Sequence, residues 1–261
     1  MDRKIKILAV GDVTSPAAAE YLSKKLWSFR KSNGVDFAVV NAENAGFITG
    51  APPAVCETLL FGGADCLTGG NHTLRNRSVH KYLDDSDRAL RPINFGSEAP
   101  GRGFTVLDAE GYRVLVISAM GTVHIDPQLN SPFEYIERVL EREEGRYDVS
   151  VLDIHAEATG EKLAIANYFD GRIDVVFGTH THVPTADARI LPRGTGYVTD
   201  VGMCGESGGI LGIETGSVIE SVRLHLPPRF SLADGETSAD GVIFTVNADK
   251  HTVTEVERVK I

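Results

Sequence analysis

Over its first two thirds the chain alternates short apolar runs with amphipathic stretches. Residues 4–10 read as a first strand. Residues 16–30 predict a helix, with Tyr21, Leu22, Leu26 and Phe29 on one stripe. Pro16 opens that helix, where its missing N–H has no partner to lose. The pattern continues with a strand at 37–40, a helix at 53–61, a short strand at 66–68 and a helix at 78–83. Residues 104–107 and 113–118, split by Ala109-Glu110-Gly111, predict an antiparallel hairpin. A helix at 132–144, a strand at 149–154, a helix at 161–169 and a strand at 173–177 follow. The last third carries hairpin signals, at Arg193-Gly194-Thr195-Gly196 and Ala248-Asp249-Lys250. Alternating βα units followed by hairpins predict an α/β fold of two mixed sheets stacked together, helices outside. There is no repeat, low-complexity tract or linker, so a single domain over 1–261 is expected.

Composition narrows the function classes. The 261 residues are 42% hydrophobic and 24% charged, which is ordinary for a chain with a sizeable core, and the formal net charge is -10. That balance argues against a stable nucleic-acid complex, which would want a basic face. It leaves room for a small phosphate-bearing substrate, because bound metal ions would supply positive charge locally. Cys56, Cys66 and Cys204 form no CxxC spacing, so a reducing compartment is expected rather than a disulfide framework. The apolar start at Ile5 is too short for a signal peptide, and no run approaches the length of a membrane span. A cytoplasmic protein with no membrane partner is the expectation.

The metal-capable residues fall just past the C-terminal ends of predicted strands, where open α/β sheets place ligands. Asp12 follows the first strand, Glu43 and Asn44 the second, and Asn71 and His72 the third. His155 ends the strand at 149–154, and His180 and His182 follow the next. Singly, each has an ordinary reading: a helix cap for Asp12, a glycine-flanked turn for Asn71, a hydrogen-bonded core imidazole for His155. His180-x-His182 is stronger, because alternate residues point the same way. Together, two carboxylates, two amides and three imidazoles exceed what one tetrahedral metal uses. Two metals clamping a phosphoryl group is the economical reading. Mixed oxygen and nitrogen donors without thiolate favour manganese, iron or zinc over calcium. Only a carboxylate suits bridging, which leaves Glu43 or Asp12.

Gly11-Asp12, Asn41-Ala42-Glu43-Asn44, Gly70-Asn71-His72, His155-Ala156-Glu157-Ala158-Thr159 and Gly178-Thr179-His180-Thr181-His182 resemble the calcineurin-like metallophosphoesterases. More narrowly they resemble the bacterial YmdB branch, and the likeness runs on through 183–187 and 199–203. Thr14 stands where the broad superfamily has a histidine, and Glu43 where it bridges with Asp; both are features of that branch. The resemblance implies a four-layer α/β/β/α sandwich and phosphodiesterase activity on 2′,3′-cyclic nucleotides such as 2′,3′-cyclic AMP. It also implies two metals, iron or manganese, with zinc or magnesium as alternatives, and a homo-oligomer. Asp12, Glu43, Asn44 and His182 would hold the first metal, and Glu43 would bridge to a second completed by Asn71, His155 and His180. A metal-activated hydroxide would attack in line, with His72 as proton donor to the leaving alkoxide. The segments 14–19 and 204–209 depart from the branch pattern, which bears on the substrate-facing rim. A phosphomonoesterase with the same metals, and a regulatory protein that binds metal or nucleotide without turnover, are the alternatives.

Other signals are weaker. No Gly-Lys-Ser/Thr follows the paired glycines, and there is no G-x-S-x-G elbow. Cys204 reads as a buried thiol rather than a nucleophile. Glu157 and Lys162 are candidates for positioning phosphate or supporting a ligand, or else an ordinary helix-entry pair. Asp200 is a candidate partner for a ligating histidine.

Overall fold

The computed structural model describes residues 3–227 and 230–261; Met1 and Asp2, ahead of the predicted first strand, lie outside them. Strand β1 (Lys4–Val10) alternates its two faces: Ile5, Ile7 and Ala9 enter one core cluster and Leu8 and Val10 another. Side chains of period two thus divide a single strand between two layers. β2 (Asp12–Val13) follows, then α1 (Pro16–Asn33). The Ser15 hydroxyl accepts from the Ala18 N–H and Pro16 opens the first turn, so the divergent 14–19 stretch is a capped helix start. β3 (Phe37–Asn41), α2 (Pro53–Phe61) and β4 (Cys66–Thr68) complete the first half-layer.

The helix expected at 78–83 opens as a 3₁₀ turn, Arg77–Val79, and continues as α3 (His80–Asp85), with a separate 3₁₀ turn, Thr73–Arg75, before it. Asn76 splits the run there: its side-chain carbonyl accepts from the Ser78 N–H. The hairpin β5 (Phe104–Ala109) and β6 (Tyr112–Met120) forms as expected, followed by α4 (Pro132–Arg142), β7 (Val149–His155), α5 (Thr159–Tyr168) and β8 (Val175–Thr179). Both hairpin signals in the last third are realised, as β9 (Arg189–Ile190) with β10 (Gly196–Val198) and β12 (Thr237–Asn247) with β13 (Thr252–Lys260). Between them lie β11 (Met203–Glu206) and an unexpected helix, α6 (Thr215–Leu224). Glu214 caps α6, its carboxylate accepting from the Gly216 and Ser217 N–H groups.

One sheet runs β2-β11-β12-β1-β3-β4, with β13 on β12; the other runs β5-β6-β7-β8-β10-β9. Both mix parallel and antiparallel pairs. Three core clusters fill the spaces between four layers. α1 and α2 pack on the first sheet through Leu22, Leu26 and Leu59, and the sheets meet through Phe37, Val116, Val151, Phe177 and Phe244. α4 and α5 cover the second sheet through Ile136, Ile165 and Phe169. The α/β/β/α sandwich is therefore the fold. Among the described residues, no helix is long and apolar enough to cross a membrane.

Candidate metal centre

The C-terminal ends of strands from both sheets bring all seven predicted ligands and His72 together. Asp12 Oδ1 stands 3.6 Å from His182 Nε2 and 3.8 Å from His155 Nδ1. Glu43 Oε1 is 3.6 Å from His155 Nε2 and 3.0 Å from His72 Nδ1. Asn71 Oδ1 reaches His155 Nε2 at 3.2 Å, and Asn44 Nδ2 reaches His182 Nε2 at 3.3 Å. The His155 and His180 rings meet edge to face at 4.8 Å.

Backbone geometry supports this clustering. The loop after β8 places His180 at φ 94° and His182 at φ 63°, a left-handed backbone that L residues rarely adopt. Asp12 Oδ2 accepts from the His180 N–H at 3.0 Å, and Glu43 Oε2 from the His72 N–H at 2.9 Å. Gly70 has to be glycine because a Cβ there would run into the His155 imidazole. Gly205, in the divergent 204–209 stretch, packs against Thr14, whose hydroxyl donates to the Cys204 carbonyl. Burial pushes the Cys204 thiol up, so it is no nucleophile.

A polar hub beneath the site ties the two sheets together. The buried Asp153 of β7 accepts from Asn41 Nδ2 (2.8 Å), Thr68 Oγ1 (2.5 Å) and Thr179 Oγ1 (2.8 Å). Thr179 has one hydroxyl proton and gives it to Asp153, so at 2.9 Å His155 Nδ1–H must donate to Thr179 Oγ1. That fixes the tautomer and leaves His155 Nε2 facing Asn71 and Glu43. Burial pushes the Asp153 carboxyl up to about 6 despite these donors. Sequence reading missed this hub, although its signal is present: polar Asn41 and Thr179 end the apolar strands β3 and β8, and a carboxylate, Asp153, stands inside β7.

Two weaker readings resolve differently. Lys162 does not face the site; it is fully buried and donates to Asp200 Oδ2 at 3.0 Å. Asp200 does not bond a histidine. Its Oδ2 accepts from the backbone N–H and hydroxyl of Thr181, the residue between His180 and His182, at 3.0 and 2.7 Å. Glu157 does reach the site, with Oε2 3.1 Å from His180 Nε2.

The charges are unevenly settled. Burial raises the Asp12 carboxyl, but His182 and His155 outweigh it and hold it at about 2. Glu43 likewise falls well below the carboxylate range, the opposing burial outweighed by His155 and His72. Burial lowers His155 and His182, but the neighbouring carboxylates reverse this and raise both. At His180 the same carboxylates are outweighed: burial, with His155 beside it, pushes it down to about 3 against the pull of Asp12 and Glu43.

Of the buried side-chain atoms without a hydrogen-bond partner among the described residues, three belong to this site: Asp12 Oδ1, Glu43 Oε1 and His182 Nδ1. His72 Nδ1 serves Asn44 Oδ1 at 2.8 Å, so its nearness to Glu43 Oε1 does not satisfy that oxygen. Contacts of 3.6–3.8 Å are too long to be hydrogen bonds. Among the described residues, no three His, Cys, Asp or Glu side chains are by themselves gathered into a metal-ligating group. The donors instead face one another in pairs, with Asn71 Oδ1 against His155 and the Asn44 amide between His182 and His72.

The model of the YmdB-like protein family matches residues 8–259. A Bacillus subtilis protein named 2′,3′-cyclic-nucleotide 2′-phosphodiesterase is 37% identical over 257 residues, 98% of this chain and 97% of its own. A crystal structure of a hypothetical protein from Thermus thermophilus superposes with a TM-score of 0.90 at 33% identity, covering 98% of this chain and 99% of that one. That of a Mycoplasma pneumoniae protein described as a novel phosphatase gives 0.90 at 29% identity, covering 100% and 94%. With the match running from β1 to β13, the chain belongs to the YmdB-like family.

Proposed function

We propose that this chain is a dinuclear-metal-dependent phosphodiesterase acting on small phosphodiesters, foremost 2′,3′-cyclic nucleotides such as 2′,3′-cyclic AMP. The observation that carries the reading is the pair of buried, ionised, unsatisfied carboxylate oxygens, Asp12 Oδ1 and Glu43 Oε1, facing imidazole nitrogens. A buried anionic oxygen with no hydrogen-bond donor is costly, and a shared cation would offset that cost. The donor set fits: Asp12, Glu43, Asn44 and His182 would hold one ion, and Glu43, Asn71, His155 and His180 the other. Iron or manganese suits these donors, with zinc or magnesium as alternatives. Bound there, such ions supply Lewis acidity toward the phosphoryl oxygens and lower the pKa of water.

The protein's own groups do the rest. Asn44 Oδ1 accepts a hydrogen bond from His72 Nδ1–H and Glu43 Oε2 one from the His72 backbone N–H, which fixes the ring, so that in its imidazolium form His72 would give the Nε2 proton to the leaving alkoxide. The names of the Bacillus and Mycoplasma relatives support phosphoester hydrolysis as the chemistry.

With manganese or iron added, 2′,3′-cyclic AMP is hydrolysed, and Asn71→Ala or His180→Ala abolishes the reaction while the fold persists. His72→Gln slows esters with alkoxide leaving groups far more than p-nitrophenyl esters, which need no proton. Metal-loaded wild-type protein that leaves every diester and monoester untouched overturns the proposal. The phosphatase name of the Mycoplasma relative favours a second reading, a monoesterase. A monoester kcat/KM above that of every diester would establish it.

A further inference from the structure

A cavity of about 220 Å³ opens directly on the site, and its remaining wall is apolar. Thr14, Asn44, His72, His180 and His182 line one part; Phe47, Ile48, Leu211, Ile213, Phe230 and Leu232, with Gly212, line the rest. The apolar residues come from two separate segments. Phe47 and Ile48 sit on the loop after β3, which is fastened to the site: the Phe47 N–H donates to the Asn44 carbonyl and the Gly50 N–H to the His72 carbonyl. Leu211 to Leu232 belong to the segment after β11, where Ile213 pairs with Leu232.

Backbone strain concentrates at this cavity. Among the described residues, nine non-glycine residues have left-handed backbone, and five of them line it: Phe47, Ile48, His180, His182 and Leu211. Ile48 is β-branched, which makes its φ of 60° especially costly. Strain of this kind persists only where surrounding structure holds it, and it collects at ligand clamps.

From the cavity we infer a subsite for the nucleobase of the substrate, formed by Phe47, Ile48, Leu211, Ile213, Phe230 and Leu232. This rests on the phosphodiesterase reading and deepens it. With the phosphate on the metal donors, the nucleoside half of the ester has this wall as its neighbour. Aromatic and aliphatic side chains there offer stacking and apolar burial to any planar base. They offer no hydrogen-bond code for its edge. The Thr14 hydroxyl is spent on the Cys204 carbonyl, and both amide atoms of Asn44 on His72 and His182. The subsite therefore demands a base without reading which base it is, and purines gain over pyrimidines only through area.

The test compares metal-loaded protein on 2′,3′-cyclic AMP and on methyl riboside 2′,3′-cyclic phosphate, in which methoxyl replaces the base. Wild type should favour the adenosine ester by about tenfold or more in kcat/KM, from a stacking contribution that reaches ~1–3 kcal/mol per base. Phe47→Ala and Phe230→Ala should each shrink that ratio, slowing the adenosine ester more than the methyl riboside. Guanosine and adenosine esters should differ by no more than a few fold. Equal wild-type rates on the two esters, or variants that slow both alike, overturn the subsite. Calorimetric binding of adenosine 3′-phosphate against methyl riboside 3′-phosphate separates the two claims. Base-selective binding without turnover would support the subsite and sink the phosphodiesterase reading; turnover without base preference would do the reverse.

Discussion

The loop carrying His180 and His182 is held from below by the buried Lys162–Asp200 pair, and removing that pair gives the sharpest energetic prediction. Both side chains are essentially inaccessible, so solvent screening offers little relief. Breaking such a pair by deleting one partner costs about 3–5 kcal/mol, because the other charge stays buried and unpaired. The two deletions are not equivalent. Lys162→Met leaves Asp200 with three donors, the Thr181 N–H, the Thr181 hydroxyl and the Gly202 N–H, so its cost falls at the lower end of that range. Asp200→Ala strands the ammonium with only a 3.4 Å contact to Thr181 Oγ1 and also frees the loop, so it falls at the upper end. The double variant Lys162→Met/Asp200→Ala recovers part of the loss, since neither charge is then buried alone. Stability is read from urea unfolding of metal-free protein and the coupling from the double-mutant cycle. Loosening Thr181 also lets the strained φ values of His180 and His182 relax, so metal affinity should drop about 10–100-fold. A Lys162→Met protein within about 1 kcal/mol of wild type, with unchanged metal affinity, would refute the brace.

Two other outcomes follow from the site's geometry and charges. In metal-free protein His155 and His182 carry raised pKa values, so their stabilising contribution is present below about pH 6.5 and is lost as pH rises through the folded values. Metal must displace those protons, whereas His180, at about 3, is already neutral. Metal binding should thus release up to two protons, and its stabilisation should grow by up to about 2.7 kcal/mol per pH unit until pH passes the folded values of His155 and His182, and level off above them. Calorimetry in buffers of different ionisation enthalpy counts the protons, and a count of zero contradicts the charge assignment. Separately, Gly70→Ala pushes a methyl group into the His155 ring, so metal affinity should fall with little change in far-UV circular dichroism; unaltered metal binding would show that the ring has room.

The sequence was legible where a local pattern and a tertiary role coincide. Ile5, Ile7 and Ala9 alternate with Leu8 and Val10 because β1 lies between two cores, and that alternation is visible before folding. Asp12, Glu43, Asn71, His155 and His180 were legible because strand ends of an α/β sheet converge, so position along a strand predicts position in space. Two features escaped, for different reasons. α6 has no buried residue and a Glu cap, so neither an apolar stripe nor a Ser, Thr, Asp or Asn marks it. The apolar rim escaped because Phe47 and Ile48 sit in a glycine-flanked loop, where nothing local announces Leu211 or Leu232 as neighbours.

Why the site sits where it does follows from the hub beneath it. Asn41 and Thr68 belong to one sheet, Asp153 and Thr179 to the other, and their hydrogen bonds close only when the sheets are in register. A carboxylate raised to about 6 is a cost that an apolar residue would avoid. What it provides is an acceptor for the Thr179 proton, which obliges Thr179 to accept from His155 and presents Nε2 to Asn71 and Glu43. One sheet contributes Asp12, Glu43, Asn44 and Asn71, and the other His155, His180 and His182. Anionic and amide oxygens therefore approach imidazole nitrogens across the packed seam, and neither sheet alone carries both donor types. Packing of the two sheets and assembly of the donor set are thus one event, and Asp153 is where the two are coupled.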